Sequence, residues 1–124
     1  MRLAPQAEDN GIMGAKREQQ RRYQEKLSRE FGPLIRNAMI DPDVVEVMLN
    51  PDGRLWVERV GQGMAEIGVM TAYAAEQLIS TVAAGVGATI TYDHPVLECE
   101  LPGDGSRFAA MIPPGAPAPI FTIR

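Results

Sequence analysis

A chain of 124 residues with 45% hydrophobic content suits one domain with one core, and its ten prolines and twelve glycines favour short strands and turns over a helical bundle. No run reaches the roughly 18 apolar residues needed to span a bilayer, and a single cysteine excludes an intramolecular disulfide framework. The formal net charge of -4 hides an asymmetry: seven cations and three anions lie between Lys16 and Arg36, and eleven anions against Arg54 and Arg59 lie between Asp41 and Asp104. The two regions attract each other, or the first attracts something else. A reducing, cytoplasmic setting is the simplest expectation. Peripheral attachment to the cytoplasmic face of the inner membrane through the basic segment is left open.

In chain order, residues 1–14 have little hydrophobic content and two glycine breakers, which predicts a disordered lead-in. Residues 15–40 form an N-terminal helical segment in two parts. The first carries Tyr23, Leu27 and Phe31, each four apart on one narrow face; Gly32-Pro33 interrupts it, and Leu34, Ile35, Ala38 and Met39 supply a second short face. Asp41-Pro42 ends the helical part, because a residue before proline disfavours helical geometry.

Residues 41–124 are then expected to form an α+β core. Val44 to Leu49 and Arg54 to Val60 alternate as strands around an Asn50-Pro51-Asp52-Gly53 turn, and Met64 to Met70 can add a third. Thr71 is the expected N-cap of a helix whose face comprises Ala75, Leu78, Ile79, Val82 and Val86, closing near Gly85 or Gly87. Residues 88–95 read as a polar loop or short strand. From Val96 to Leu101, Leu97, Cys99 and Leu101 alternate with Glu98 and Glu100, one face apolar and one acidic. The predicted fold class is α+β: N-terminal helices followed by a mainly antiparallel sheet covered by one helix.

Most catalytic chemistries find no support. With one histidine, His94, and one cysteine, Cys99, no ligand-spaced metal cluster exists in the sequence. Asp93 and His94 are adjacent and point apart on an extended chain, so a loop histidine is favoured over a base. Cys99 reads as a small core residue, with nothing nearby in sequence to activate it. Glu98 and Glu100 read as a solvated strand face rather than paired catalytic carboxylates. The PGDGS stretch at Pro102 to Ser106 has the glycines of a phosphate loop but lacks the G-x-x-x-x-G-K-[ST] pattern, and it lies between two strands, which predicts a hairpin turn. The basic helix could dock on nucleic acid or acidic lipid, although its cations are interleaved with Glu18, Glu25 and Glu30.

The stretch Leu101 to Arg124 raises the sharpest question. Strand alternation sets Arg107, Ala109 and Met111 on one face, with Ile120, Thr122 and Arg124, and leaves Phe108, Ala110, Ile112, Phe121 and Ile123 for the core. A guanidinium must stay hydrated or find an anion, so both arginines ask which anion they serve. Carboxylates such as Glu98, Glu100 or Asp104 are the structural answer.

DPDVVEVMLNPDGRLWVE, HPVLECELPGDGSRFAAMIPP and PAPIFTIR, in this order and around an intervening helix, resemble the N-terminal domain of the TrbB-type conjugal transfer ATPases, within the type II and type IV secretion traffic ATPases. The resemblance covers about Leu27 to Arg124. It implies a two-domain subunit of a homohexameric ring that hydrolyses ATP to drive conjugation or type IV secretion, with nucleotide between this domain and a C-terminal RecA-like domain that bears the P-loop and binds ATP and Mg²⁺. By motif position it makes Arg107 and Arg124 contacts to the nucleotide phosphates. The RecA-like domain is absent from this chain, so no complete catalytic set, no metal site and no ATP turnover are expected of it alone. The implied partners are its own C-terminal domain, neighbouring subunits and other secretion or conjugation components. The alternative is a non-catalytic binding or assembly module that docks on membrane, DNA or secretion components through its basic helix.

Overall fold

In the computed structural model, which describes residues 3–124 and the side chains from residue 11, a helix α1 (Leu3–Ile40) precedes an antiparallel sheet. The described helical backbone begins at Leu3, inside the stretch 1–14 that the sequence sets apart as a lead-in, while Met1 and Arg2 lie outside the described residues. Ion pairs line the part of α1 that follows. Arg21 bonds Glu18 and Glu25, and Arg22 and Lys26 reach Glu18 and Glu30, all at i,i+3 or i,i+4 spacing. Such exposed pairs are individually weak and add a little to the helix they line. The Arg21 hydrogen bond also holds the Glu18 carboxyl below its usual range.

The interruption at Gly32-Pro33 is real. Gly32 has φ 77 and ψ 167, a conformation that L side chains rarely adopt, and Pro33 opens the second segment. Across the kink, Arg36 Nη1 donates to the Ser28 carbonyl at 2.6 Å, satisfying one acceptor near the end of the first segment. Leu27 and Phe31 before the kink and Ile35 and Ala38 after it are buried. Leu34 is 47% exposed, lying over Gly68 rather than in the core.

The remaining elements are β1 (Val44–Leu49), β2 (Arg54–Arg59), β3 (Gly63–Val69), α2 (Ala72–Gly85), β4 (Val96–Glu100), β5 (Arg107–Met111) and β6 (Ile120–Ile123). The sheet order is β3-β2-β1-β6-β5-β4, with every neighbouring pair antiparallel. Two consecutive three-strand groups thus meet where β1 pairs with β6. The α+β class expected from the sequence is the one observed, with α1 as well as α2 contributing to the core.

Thr71 caps α2 as anticipated, its side chain accepting from the Ala74 N–H at 3.1 Å. The other end closes in a Schellman arrangement around Gly87 (φ 69): Ala88 N–H reaches the Ala83 carbonyl at 2.8 Å and Gly87 N–H the Ala84 carbonyl at 3.2 Å. Ala75, Leu78, Ile79 and Val82 are buried, whereas Val86 is 38% exposed because it falls on the cap; Thr81 and Ala83 are buried in its stead. Val47, Leu49, Leu55, Val57, Leu97, Phe108, Ala110, Phe121 and Ile123 face these helices. Phe108 and Phe121 stack at 5.7 Å between ring centroids. Among the described residues no helix lies over the other face of the sheet, which carries the charges.

Candidate functional site

The strand registers line up a row of charge across that uncovered face. Glu58 on β2 pairs with Glu46 on β1, and Glu100 on β4 pairs with Arg107 on β5. Continuing the β1–β6 ladder one step past Val47 and Ile123 sets Arg124 beside Glu46. Arg107 and Arg124 face each other directly: each donates its N–H to the other's carbonyl at 2.9 Å. The row therefore reads Glu58, Glu46, Arg124, Arg107, Glu100. The next row is Glu66, Trp56, Met48, Thr122, Ala109 and Glu98.

Each arginine has a different environment. Arg124 Nε donates to Glu46 Oε1 at 2.7 Å, and the Glu46 side chain is only 14% exposed while that of Arg124 is 72% exposed. That hydrogen bond, reinforced by the Glu46 charge and more weakly by Glu58, holds the Arg124 guanidinium above its ordinary range. Arg107 is exposed and, among the described residues, makes no side-chain hydrogen bond or ion pair. The carboxylate that answers a guanidinium is thus Glu46, and the pairs expected with Glu98, Glu100 or Asp104 do not form. Asp104 is occupied otherwise, accepting from the Ser106 N–H and hydroxyl at 2.9 Å each.

Arg107, Arg124, Glu98, Glu100, Ala109 and Thr122 border an open groove of about 880 Å³. With Arg124 Nε–H committed to Glu46, the two guanidinium groups of this cross-strand pair still offer up to nine N–H donors beside the groove, a donor set suited to a polyanion. The glycine-containing segment expected to be a hairpin turn is one: it joins antiparallel β4 and β5, with Leu101 N–H bonded to the Ser106 carbonyl at 2.7 Å and Gly103 and Gly105 at positive φ.

The other candidates separate cleanly. His94 sits in a tight turn, exchanging backbone bonds with Thr91. Cys99 is half-buried, and burial pushes its thiol pKa up, away from a reactive thiolate. Among the described residues no group of three or more His, Cys, Asp or Glu is assembled to hold a metal ion. On α1, Arg21, Arg22 and Lys26 are engaged with carboxylates of the same helix. No helix among the described residues is long and apolar enough to cross a membrane.

Sequence reasoning missed Glu46. Alternation set it on the same face as Met48, but its pairing with Arg124 depends on β1 lying beside β6, a contact between residues 78 apart in the chain.

No protein-family model matches the chain. It is 43% identical over 99 residues to a probable conjugal transfer protein TrbB of Sinorhizobium fredii and, to the same extent, to a conjugal transfer protein TrbB of Rhizobium radiobacter. Each match covers 80% of this chain, and the chain spans 30% and 31% of the length of these relatives. Among solved structures, the VirB11 ATPase of the Brucella suis type IV secretion system, in complex with sulphate, superposes with a TM-score of 0.75 at 26% identity, over 86% of this chain and 32% of that one. Over most of its length the chain is thus similar to part of the TrbB conjugal transfer proteins, and it shares its fold with part of a secretion ATPase.

Proposed function

We propose that the chain is the N-terminal domain of a hexameric ATPase that powers conjugative transfer or type IV secretion from the cytoplasm, and that Arg107 and Arg124 reach the phosphates of a nucleotide held chiefly by a C-terminal RecA-like domain. The observation that carries this reading is the direct cross-strand pairing of two arginines on an uncovered sheet face. Like charges directly opposite each other on a sheet cost about 0.2–1 kcal/mol relative to neutral pairs, so the arrangement calls for an anion. Arg107, with no protein partner among the described residues, is the free half of the receptor.

The donors fit a phosphate chain, and in this reading Mg²⁺ would be held chiefly by the C-terminal domain. Bound ATP would supply the phosphoanhydride whose hydrolysis powers the cycle. The residues of this chain bind and orient: guanidinium forks grip phosphate oxygens, and a rigid sheet transmits their position to the domain. Contacts that weaken as the anion changes would let the domain move, which supports coupling between the ATP cycle and motion.

The test is steady-state ATP turnover by the full-length protein carrying Arg107→Ala or Arg124→Ala. Each is expected to lower kcat by about tenfold or more, in the range of a lost charge-stabilising contact. Unchanged kinetics in both variants would sink the reading.

A further inference from the structure

We infer that Glu46 is a positioning residue for Arg124, orienting its guanidinium so that its two terminal amino groups meet a phosphate beside Arg107. This rests on the nucleotide reading above and goes beyond it by dividing the labour between the arginines.

The acid is the fixed partner. Glu46 lies on β1, which is hydrogen-bonded on both sides by β2 and β6, and its side chain is 14% exposed against 72% for Arg124. The contact uses Nε of Arg124, at 2.7 Å, and leaves both Nη groups available for an end-on grip. A free arginine on a strand end loses rotamer entropy on being ordered. Glu46 orders Arg124 before any anion arrives. Arg107, without such a partner among the described residues, is the adaptable half.

Two effects of Glu46 oppose each other, which makes the inference testable. Its charge repels an incoming anion, whereas its acceptor atom orients the donor. A mere counter-charge role predicts that any neutral replacement tightens anion binding. A positioning role predicts that the acceptor atom matters more than the charge.

The experiment is titration of the 124-residue chain with pyrophosphate, read from the arginine Nε–Hε signals, with backbone amide spectra to verify folding. In the unsubstituted chain both Arg107 and Arg124 signals are expected to shift. Glu46→Gln, which retains an acceptor at the same reach, should bind at least as well as the unsubstituted chain. Glu46→Ala and Glu46→Asp, which remove or withdraw the acceptor, should each bind about tenfold more weakly, the equivalent of one well-ordered charged contact. If Glu46→Ala fails to fold, the contrast between Glu46→Gln and Glu46→Asp decides the matter. Glu46→Ala binding as tightly as Glu46→Gln, or Glu46→Asp binding as tightly as the unsubstituted chain, overturns the positioning role and leaves the nucleotide reading standing. Absence of any response at Arg107 and Arg124 in the unsubstituted chain overturns the positioning role, while the nucleotide reading, in which another domain chiefly holds the nucleotide, is decided by the turnover of the full-length variants.

Discussion

Arg107 and Arg124 exchange both of their backbone hydrogen bonds, at 2.9 Å each, and so hold two positive side chains directly opposite each other at one end of the β5–β6 ladder. Glu46 beside Arg124 and Glu100 beside Arg107 moderate the repulsion. In a double-mutant cycle of Arg107→Gln and Arg124→Gln, measured by urea unfolding at low salt, the coupling is expected to be unfavourable by about 0.2–1 kcal/mol. Adding pyrophosphate should turn it favourable, because a shared anion binds the folded pair. A coupling that is favourable without anion would show that the two cations are accommodated by the fold itself.

A second relationship joins the two helices. Tyr23 on α1 donates its hydroxyl to the Thr81 carbonyl on α2 at 2.9 Å, and its ring end rests on Gly85, where any Cβ would run into the Tyr23 Oη and Cζ atoms. Glycine near a helix end normally costs about 0.5–1 kcal/mol relative to alanine, so Gly85→Ala would ordinarily stabilise. Here overpacking, at about 1–3 kcal/mol, should win and make the substitution destabilising. With Tyr23→Leu already in place the collision is gone, and adding Gly85→Ala should then stabilise. Chemical denaturation of the four chains checks the reversal of sign; the same sign in both backgrounds would rule out the steric account.

The elements and their inward faces were legible because period and punctuation agree: Thr71 before a 3.6-residue pattern, Asn50-Pro51-Asp52-Gly53 between two alternating runs, and the break at Gly32-Pro33 all reappear in the structure. The common face of Arg107 and Arg124 was legible for the same reason, since alternation decides sidedness. Strand order was not. Nothing local says that β1 lies beside β6, and the charge row with its Glu46 contact follows from that one long-range pairing.

Tyr23 also makes the fold sensitive to alkali. Burial, foremost, and then the Cys99 and Glu30 charges push its pKa above the ordinary 10.0. A group that loses a proton to become charged, with its folded value raised above the unfolded one, contributes stability below the unfolded value and loses it as pH rises through the folded value. Cys99, raised by burial from its ordinary 9.0, acts in the same direction from a lower pH. The urea midpoint is therefore expected to fall as pH is raised from neutral to about 11, a window that spans both ordinary values. Tyr23→Phe should start lower, by about 1 kcal/mol for the lost bond to Thr81, and then decline less steeply, because it has no phenol to ionise. Parallel declines in the two chains would mean that Tyr23 does not carry the alkaline loss.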